Sequence, residues 1–245
     1  MKPGAEKRRI EIMDTTLRDG EQTSGVSFAA QEKVSVVRLL LEELKVDRVE
    51  IASARVSEGE FRSVQKMAQW AAAHGYLDRL EVLGFVDGGT SLEWIANAGC
   101  RVVNLLCKGS LKHCTWQLRK SVEEHLADVK QTIALAKEKG MRVNLYLEDW
   151  SNGMRDSKEY VFQMMDGLKD EAVTRFMLPD TLGVLNPDEA YQFCSEMIER
   201  YPSLHFDFHA HNDYDLAVAN VYYAIKAGVK GVHVTVNGLG ERAGN

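Results

Sequence analysis

Short runs rich in apolar and β-branched residues recur along the chain at 10–14, 48–52, 80–86, 101–107, 142–148, 173–178, 204–209 and 231–236. Between them lie longer stretches with apolar residues at three- and four-residue spacing: 30–44, 61–73, 122–139, 160–168, 187–200 and 216–227. The first pattern predicts strands and the second predicts helices. Local chemistry agrees. Asn186 followed by Pro187 suits a cap and first helical turn. Gly75, Gly99, Gly140 and Gly228 each follow a helical stretch closely, where a left-handed residue is wanted. Strands alternating with helices make a parallel sheet, and eight strands is the number that closes into a barrel. An α/β fold of the (β/α)8 TIM-barrel type is therefore expected. The rival is an open, doubly wound sheet. Against it, no GxGxxG or phosphate loop follows any strand, and the polar residues gather after several strands instead of at one switch point.

Length and charge narrow the picture. At 245 residues the chain is the size of one barrel, with 45% apolar and 27% charged residues. A net charge of −6 gives no electrostatic case for nucleic acid or an anionic membrane, and no apolar run has the length of a membrane span. Cys100, Cys107, Cys114 and Cys194 form no CxxC pair and read as reduced thiols. The opening stretch MKPGAEKRRI is basic but leads into a strand, not the apolar core of a signal peptide, so the cytoplasm is expected. The sequence ends at Asn245, directly after the eighth strand. It therefore reads as a barrel truncated before its last helix.

Barrel proteins carry their chemistry at the C-terminal ends of the strands. Those ends read Asp14-Thr15-Thr16-Leu17-Arg18-Asp19, Leu147-Glu148-Asp149, Pro179-Asp180-Thr181, His209-Ala210-His211-Asn212-Asp213, and 237–245 (NGLGERAGN). His209 and His211 are two apart on a strand, so both point to one side and make half of a metal site. Taken alone, the pair is a weak signal that more often marks two unrelated histidines in a polar loop. Asp19 on a neighbouring strand end of a closed barrel would complete two imidazoles and a carboxylate, leaving positions open for a chelating ligand. Such a donor set suits Zn, Mn or Co, and Mg if waters and an oxo acid share the coordination. Arg18 beside Asp19 could be a surface ion pair, or could place a guanidinium next to the oxygen that a metal polarises. Glu148 could be a solvated strand-end charge or a carboxylate that orients a proton shuttle.

Together these rim motifs carry a resemblance. DTTLRDGEQ at 14–22, HAHND at 209–213 and GLGERAGN at 238–245 resemble the signatures of the DRE-TIM metallolyase superfamily. Within it they are similar to the 2-isopropylmalate, homocitrate and citramalate synthase branch, over essentially all of 10–245. The resemblance implies one divalent metal chelated by a 2-oxo acid, with acetyl-CoA as co-substrate. By motif position it implies Asp19, His209 and His211 as metal ligands, with Asn245 nearby or fourth. Arg18 would stabilise the oxyanion on the keto oxygen, Thr181 would bind the carboxylate, and Glu148 would position or polarise the base. Gly238, Gly240 and Glu241 are implied as cofactor-binding residues. A homodimer is implied as well, and 1–245 as the catalytic barrel, with the family's downstream linker and regulatory domain absent.

The strings VLGFVDG, NLLCKGSL, YLEDWSNGMRDS and LPDTLGVLNP are most similar to the citramalate synthases. In that group two leucines and a tyrosine restrict the oxo acid to pyruvate, and the matching positions are Leu83, Leu106 and Tyr146. Bulky residues there would exclude an isopropyl group, but a methylene difference is worth only ~1–3 kcal/mol. Without the resemblance, Leu83 and Leu106 read as core. The expectation is thus condensation of acetyl-CoA with pyruvate, for isoleucine synthesis. The 2-isopropylmalate reaction with 2-oxoisovalerate is the alternative, and a non-catalytic barrel binding metal and oxo acid is the rival from another class. A thioester lyase is disfavoured because no cysteine lies in the loop after strand eight.

Overall fold

In the computed structural model, which describes residues 9–245, all eight expected strands form. The stretch 1–8, which carries most of the basic N-terminus, lies outside the described residues. The strands are β1 (Glu11–Asp14), β2 (Arg48–Ser53), β3 (Leu80–Phe85), β4 (Val102–Lys108), β5 (Arg142–Glu148), β6 (Val173–Asp180), β7 (Phe206–Ala210) and β8 (Gly231–Val234). Every neighbouring pair is parallel, and β1 pairs β8 from Glu11↔Gly231 to Asp14↔Val234, so the sheet closes on itself. The doubly wound alternative is excluded.

The helices are α1 (Ala30–Arg38), α2 (Glu58–Ala73), α3 (Thr90–Asn97), α4 (Val122–Glu138), α5 (Trp150–Asp156), α6 (Lys158–Leu168), α7 (Pro187–Arg200) and α8 (Ala217–Ala227). Asn186 caps α7 as expected: its side chain accepts from Glu189 N and Glu189 reaches back to Asn186 N. α2 begins at Glu58, ahead of the expected 61, because the Ser57 hydroxyl accepts the Glu60 N–H at 3.0 Å. The expected helix 30–44 is α1 continued by a π-helical turn at Leu39–Glu43. α3 and α5 were not legible as helices. Each has eight residues or fewer, too short for apolar periodicity to accumulate.

The helices pack on the outer faces of the strands over one large apolar core that includes Val49, Ile51, Leu105, Leu147, Phe176 and Phe208. The barrel lumen is different. Only Met13, Leu83, Tyr146 and Met177 form an apolar cluster there, flanked by Phe85 and Leu106. Many of the remaining inward positions carry charge, amide or imidazole. Arg48 donates to Glu81 at 3.1 Å and to Asp207, Arg175 donates to Glu11 at 2.9 Å, and Asn144 donates to Asn104 at 2.8 Å. Gly231 is the space Asp207 needs, since a Cβ there would sit 2.1 Å from the Asp207 Oδ1. Charges buried this deeply persist only when paired and hydrogen-bonded. Among the described residues no helix is long and apolar enough to cross a membrane.

Candidate active site

The loop after β1 places its side chains through local hydrogen bonds. The N–H groups of Arg18, Asp19 and Gly20 all return to the Thr15 carbonyl, which winds 15–20 into a tight turn at the barrel mouth. Lys33 of α1 reaches Glu21 and Glu60, both at 2.6 Å, and fastens that loop to α2. On the far side, β7 delivers His209 and, one step past its end, His211. The loop after β8 is stitched over both. Arg242 donates to Asp213 at 2.8 Å and to the Thr181 carbonyl at 2.6 Å, and Asn212 N donates to the Gly244 carbonyl at 2.9 Å. Gly244 has φ +97°, and a Cβ there would lie 2.0 Å from the Gly238 carbonyl oxygen, so this crossing tolerates no side chain.

These elements bring Asp19, His209 and His211 together. One donor atom of each lies within 4.8 Å of the others, and all three residues are buried. The two Nε2 atoms face each other at 3.3 Å, and Asp19 Oδ2 is 3.9 Å from His209 Nε2. Asn245 joins them, its amide donating to Asp19 Oδ2 at 3.1 Å and lying 3.2 Å from His209. Burial, with His211, His233 and Arg18 close by, holds the His209 pKa well below the ordinary imidazole value. Burial also lowers that of His211, partly offset by Asp19. Both rings are therefore neutral near pH 7, and two neutral nitrogens crowd against a carboxylate. The His211 Nδ1 is buried without a hydrogen-bond partner. This donor set fits a divalent cation and could hold one with open positions.

Arg18 sits at the edge of the cluster. Its Nε is fixed to Glu50 at 2.6 Å, whereas its Nη atoms are loosely held, 3.5 Å from Asp19 and from the Tyr146 hydroxyl and 3.4 Å from Gln22. Burial opposes its charge, but Glu50, Tyr146 and Asp19 outweigh that and raise its pKa above the usual value. One edge of the guanidinium is thus anchored, and the other offers donors.

A cavity of about 240 Å³ opens beside these groups. Its polar wall includes Arg18, Glu148, Thr181, His209, His211 and Glu241, and its apolar wall is Leu83, Phe85, Leu106 and Tyr146. The Thr181 hydroxyl accepts the Asp149 N–H at 2.8 Å, which leaves its proton free to donate. Glu148 is ion-paired with Lys108. Gly238 and Gly240 do not line this cavity. Gly240 instead exchanges hydrogen bonds with Thr23, at 2.8 and 3.0 Å, and shapes the loop that carries Asn245.

Sequence reading overlooked Glu50, Lys108, Phe85 and His233. Glu50, Asn104 and His233 each interrupt an otherwise apolar strand run, and a buried charge or amide there demands a partner inside the barrel. That interruption was the available signal.

The molecule is a closed (β/α)8 barrel that gathers two imidazoles, a carboxylate and a half-free guanidinium at its C-terminal mouth, the face where barrels of this class place their sites. The chain belongs to the HMGL-like family, whose pattern it matches over residues 9–245. Among curated proteins it is 37% identical over 240 residues to a probable 2-isopropylmalate synthase of Methanopyrus kandleri, covering 97% of this chain and 46% of that protein. It is 35% identical to a putative (R)-citramalate synthase CimA of the same organism, covering 96% of this chain and 45% of that one. The chain thus spans about half the length of these relatives. Among solved structures, an HMG-CoA lyase from Bacillus subtilis superposes with a TM-score of 0.75 at 20% identity, covering 97% of this chain and 80% of that one. The carboxyl transferase domain of Rhizobium etli pyruvate carboxylase gives 0.73 at 16%, covering 96% and 41%. At these identities the structural likeness concerns the fold.

Proposed function

We propose that this barrel condenses acetyl-CoA with a 2-oxo acid, pyruvate in the first instance, to give citramalate. One observation carries the reading: Asp19 converges with His209 and His211 beside the free edge of Arg18, and the two histidines line a small cavity closed by Leu83, Leu106 and Tyr146. The names of the curated relatives support the same reaction class.

Asp19, His209 and His211, with Asn245 alongside, would hold the divalent cation, which when bound supplies Lewis-acid polarisation of the keto group. The Thr181 hydroxyl donates to the oxo acid's carboxylate, and its methyl group lies against Leu83, Leu106 and Tyr146. Loss of a methyl proton from acetyl-CoA lets that carbon attack the keto carbon, forming the C–C bond as the carbonyl becomes an alkoxide. The Arg18 Nη donors neutralise that oxygen. A preorganised donor of this kind is worth about 3 kcal/mol. Glu148, ion-paired with Lys108 on the same cavity wall, positions the base, and the methyl proton it removes is returned to the alkoxide to give the hydroxyl. Water then cleaves the thioester, releasing free CoA and making the condensation irreversible. Glu241 lies on the cavity wall where the thioester would enter. The four cysteines are buried and unpaired, which suits a reducing compartment such as the cytoplasm.

A second reading takes 2-oxoisovalerate. It is favoured by a cleft of about 140 Å³ on the other side of Phe85 and Leu106, into which a branched chain could extend if Leu106 turned aside. Free-thiol release from acetyl-CoA tests both. Release with pyruvate and divalent metal supports the first reading, and preference for 2-oxoisovalerate supports the second. Metal binding without release from either acid would leave a binding barrel and defeat the condensation.

A further inference from the structure

Beneath the proposed metal site a line of buried groups runs down the barrel axis, and the mechanism above gives two of them, His233 and Asp207, no role. His209 Nδ1 lies 3.2 Å from His233 Nδ1, and His233 Nε2 lies 3.3 Å from Asp207 Oδ2. The Tyr146 hydroxyl also meets His233 Nδ1, at 3.0 Å. Asp207 and His233 are fully buried, and Asp207 is further held by Arg48 and by His205 at 2.9 Å.

Each contact admits one proton, and the assignment propagates from the bottom. Asp207 is ion-paired with Arg48 on one oxygen and meets His205 on the other, so both of its oxygens act as acceptors. An ionised carboxylate only accepts, so His233 Nε2 carries the hydrogen. With the ring hydrogen placed on Nε2, His233 presents the lone pair of Nδ1 upward as an acceptor. His209 Nδ1 meets that acceptor alongside the Tyr146 hydroxyl, and a bare Nδ1 there would set two lone pairs against each other, so the His209 proton belongs on Nδ1. The His209 Nε2 is left with a lone pair facing His211 Nε2 and Asp19. In the opposite tautomer an N–H would point into the cluster and block a cation.

We infer that His233, backed by Asp207, is a positioning residue that fixes the tautomer and orientation of His209 and so keeps its Nε2 available as a metal ligand. The inference rests on the proposed metal site. Partners of this kind, bonded to the remote nitrogen of a ligating histidine, typically carry 10–100-fold in metal affinity.

Two substitutions separate this role from packing. His233→Asn retains an oxygen near the position of Nδ1, whereas His233→Phe keeps the ring shape without any acceptor. Zn2+ titrated calorimetrically into each metal-free protein is expected to bind 10–100-fold more weakly to His233→Phe than to the unsubstituted protein. His233→Asn should recover most of that loss, with circular dichroism matching in all three. Nitrogen-15 spectra of the metal-free, unsubstituted protein should show His209 protonated at Nδ1 and bare at Nε2. Equal Zn2+ affinity in His233→Phe, or a His209 protonated at Nε2, would overturn the inference. If the unsubstituted protein takes up no Zn2+, the metal site itself fails, and the nitrogen-15 spectrum alone decides the tautomer.

Discussion

The lower and upper halves of the barrel lumen are both crowded with buried charge, yet they are different kinds of place. In the lower half Arg48 faces Glu81 and Asp207, and Arg175 faces Glu11, so every acid there finds a cation. In the upper half a carboxylate oxygen of Asp19 and an imidazole nitrogen each of His209 and His211 crowd within 4.8 Å of one another, and Arg18 gives its firmest bond to Glu50. Burial of polar groups is therefore no mark of a site by itself. Convergence of possible ligand atoms at one point, next to a cavity, is the mark.

Substitutions sharpen that contrast, the largest effect first. Asp19→Ala should abolish acetyl-CoA turnover and metal binding while leaving the melting temperature of the metal-free protein nearly unchanged, as paired titrations and thermal melts will show. Substantial turnover in that variant would remove Asp19 from the site. Arg48→Met should do the reverse. It strands Glu81 and Asp207 in the lumen and is expected to cost about 3–5 kcal/mol in denaturant unfolding. Arg18→Gln tests the boundary, since it touches both halves. It should lower turnover by about 10²–10³-fold while metal affinity holds.

Asp14 is a smaller case. Burial pushes its pKa up to about 6, although hydrogen bonds from Thr16 oppose this. A carboxyl raised in the folded state binds its proton more tightly there, so its ionisation weakens the fold as pH rises from about 4 through about 6. Asp14→Asn should then stabilise the protein above pH 7, by at most about 3 kcal/mol at 1.36 kcal/mol per unit, with the gain vanishing near pH 4. Urea midpoints across that range will read the sign. The weakest effect is expected at Leu106→Ala, which joins the two cavities and should shift preference toward 2-oxoisovalerate by ~1–3 kcal/mol. An unchanged preference would take Leu106 out of substrate selection.

The strand positions were legible because β-branched runs punctuated by helical spacing leave few other arrangements, and the rim residues follow from the strand ends. Arg18, Asp19, Glu148, Thr181, His209, His211 and Asn245 all stand at one mouth for that reason. The lumen was harder to read. Glu50 and His233 are single polar letters in apolar runs, and which strands they reach across to is fixed by barrel register, a property of the whole sheet. α3 and α5 escaped because they are short. Gly238 and Gly240 were placed by motif, and that they stand where the last loop crosses itself, with a Cβ on Gly240 or Gly244 meeting backbone at 3.0 Å or less, could not be read from the sequence.

That crossing has a topological consequence. Asn245 meets Asp19 across 226 positions of sequence, along the seam where the first and last strands zip together. Neither half of the polypeptide owns the whole of the proposed coordination set. A split protein, β1–β4 mixed with β5–β8, would acquire cation affinity only upon reassembly, so ion uptake would report closure of the ring in real time.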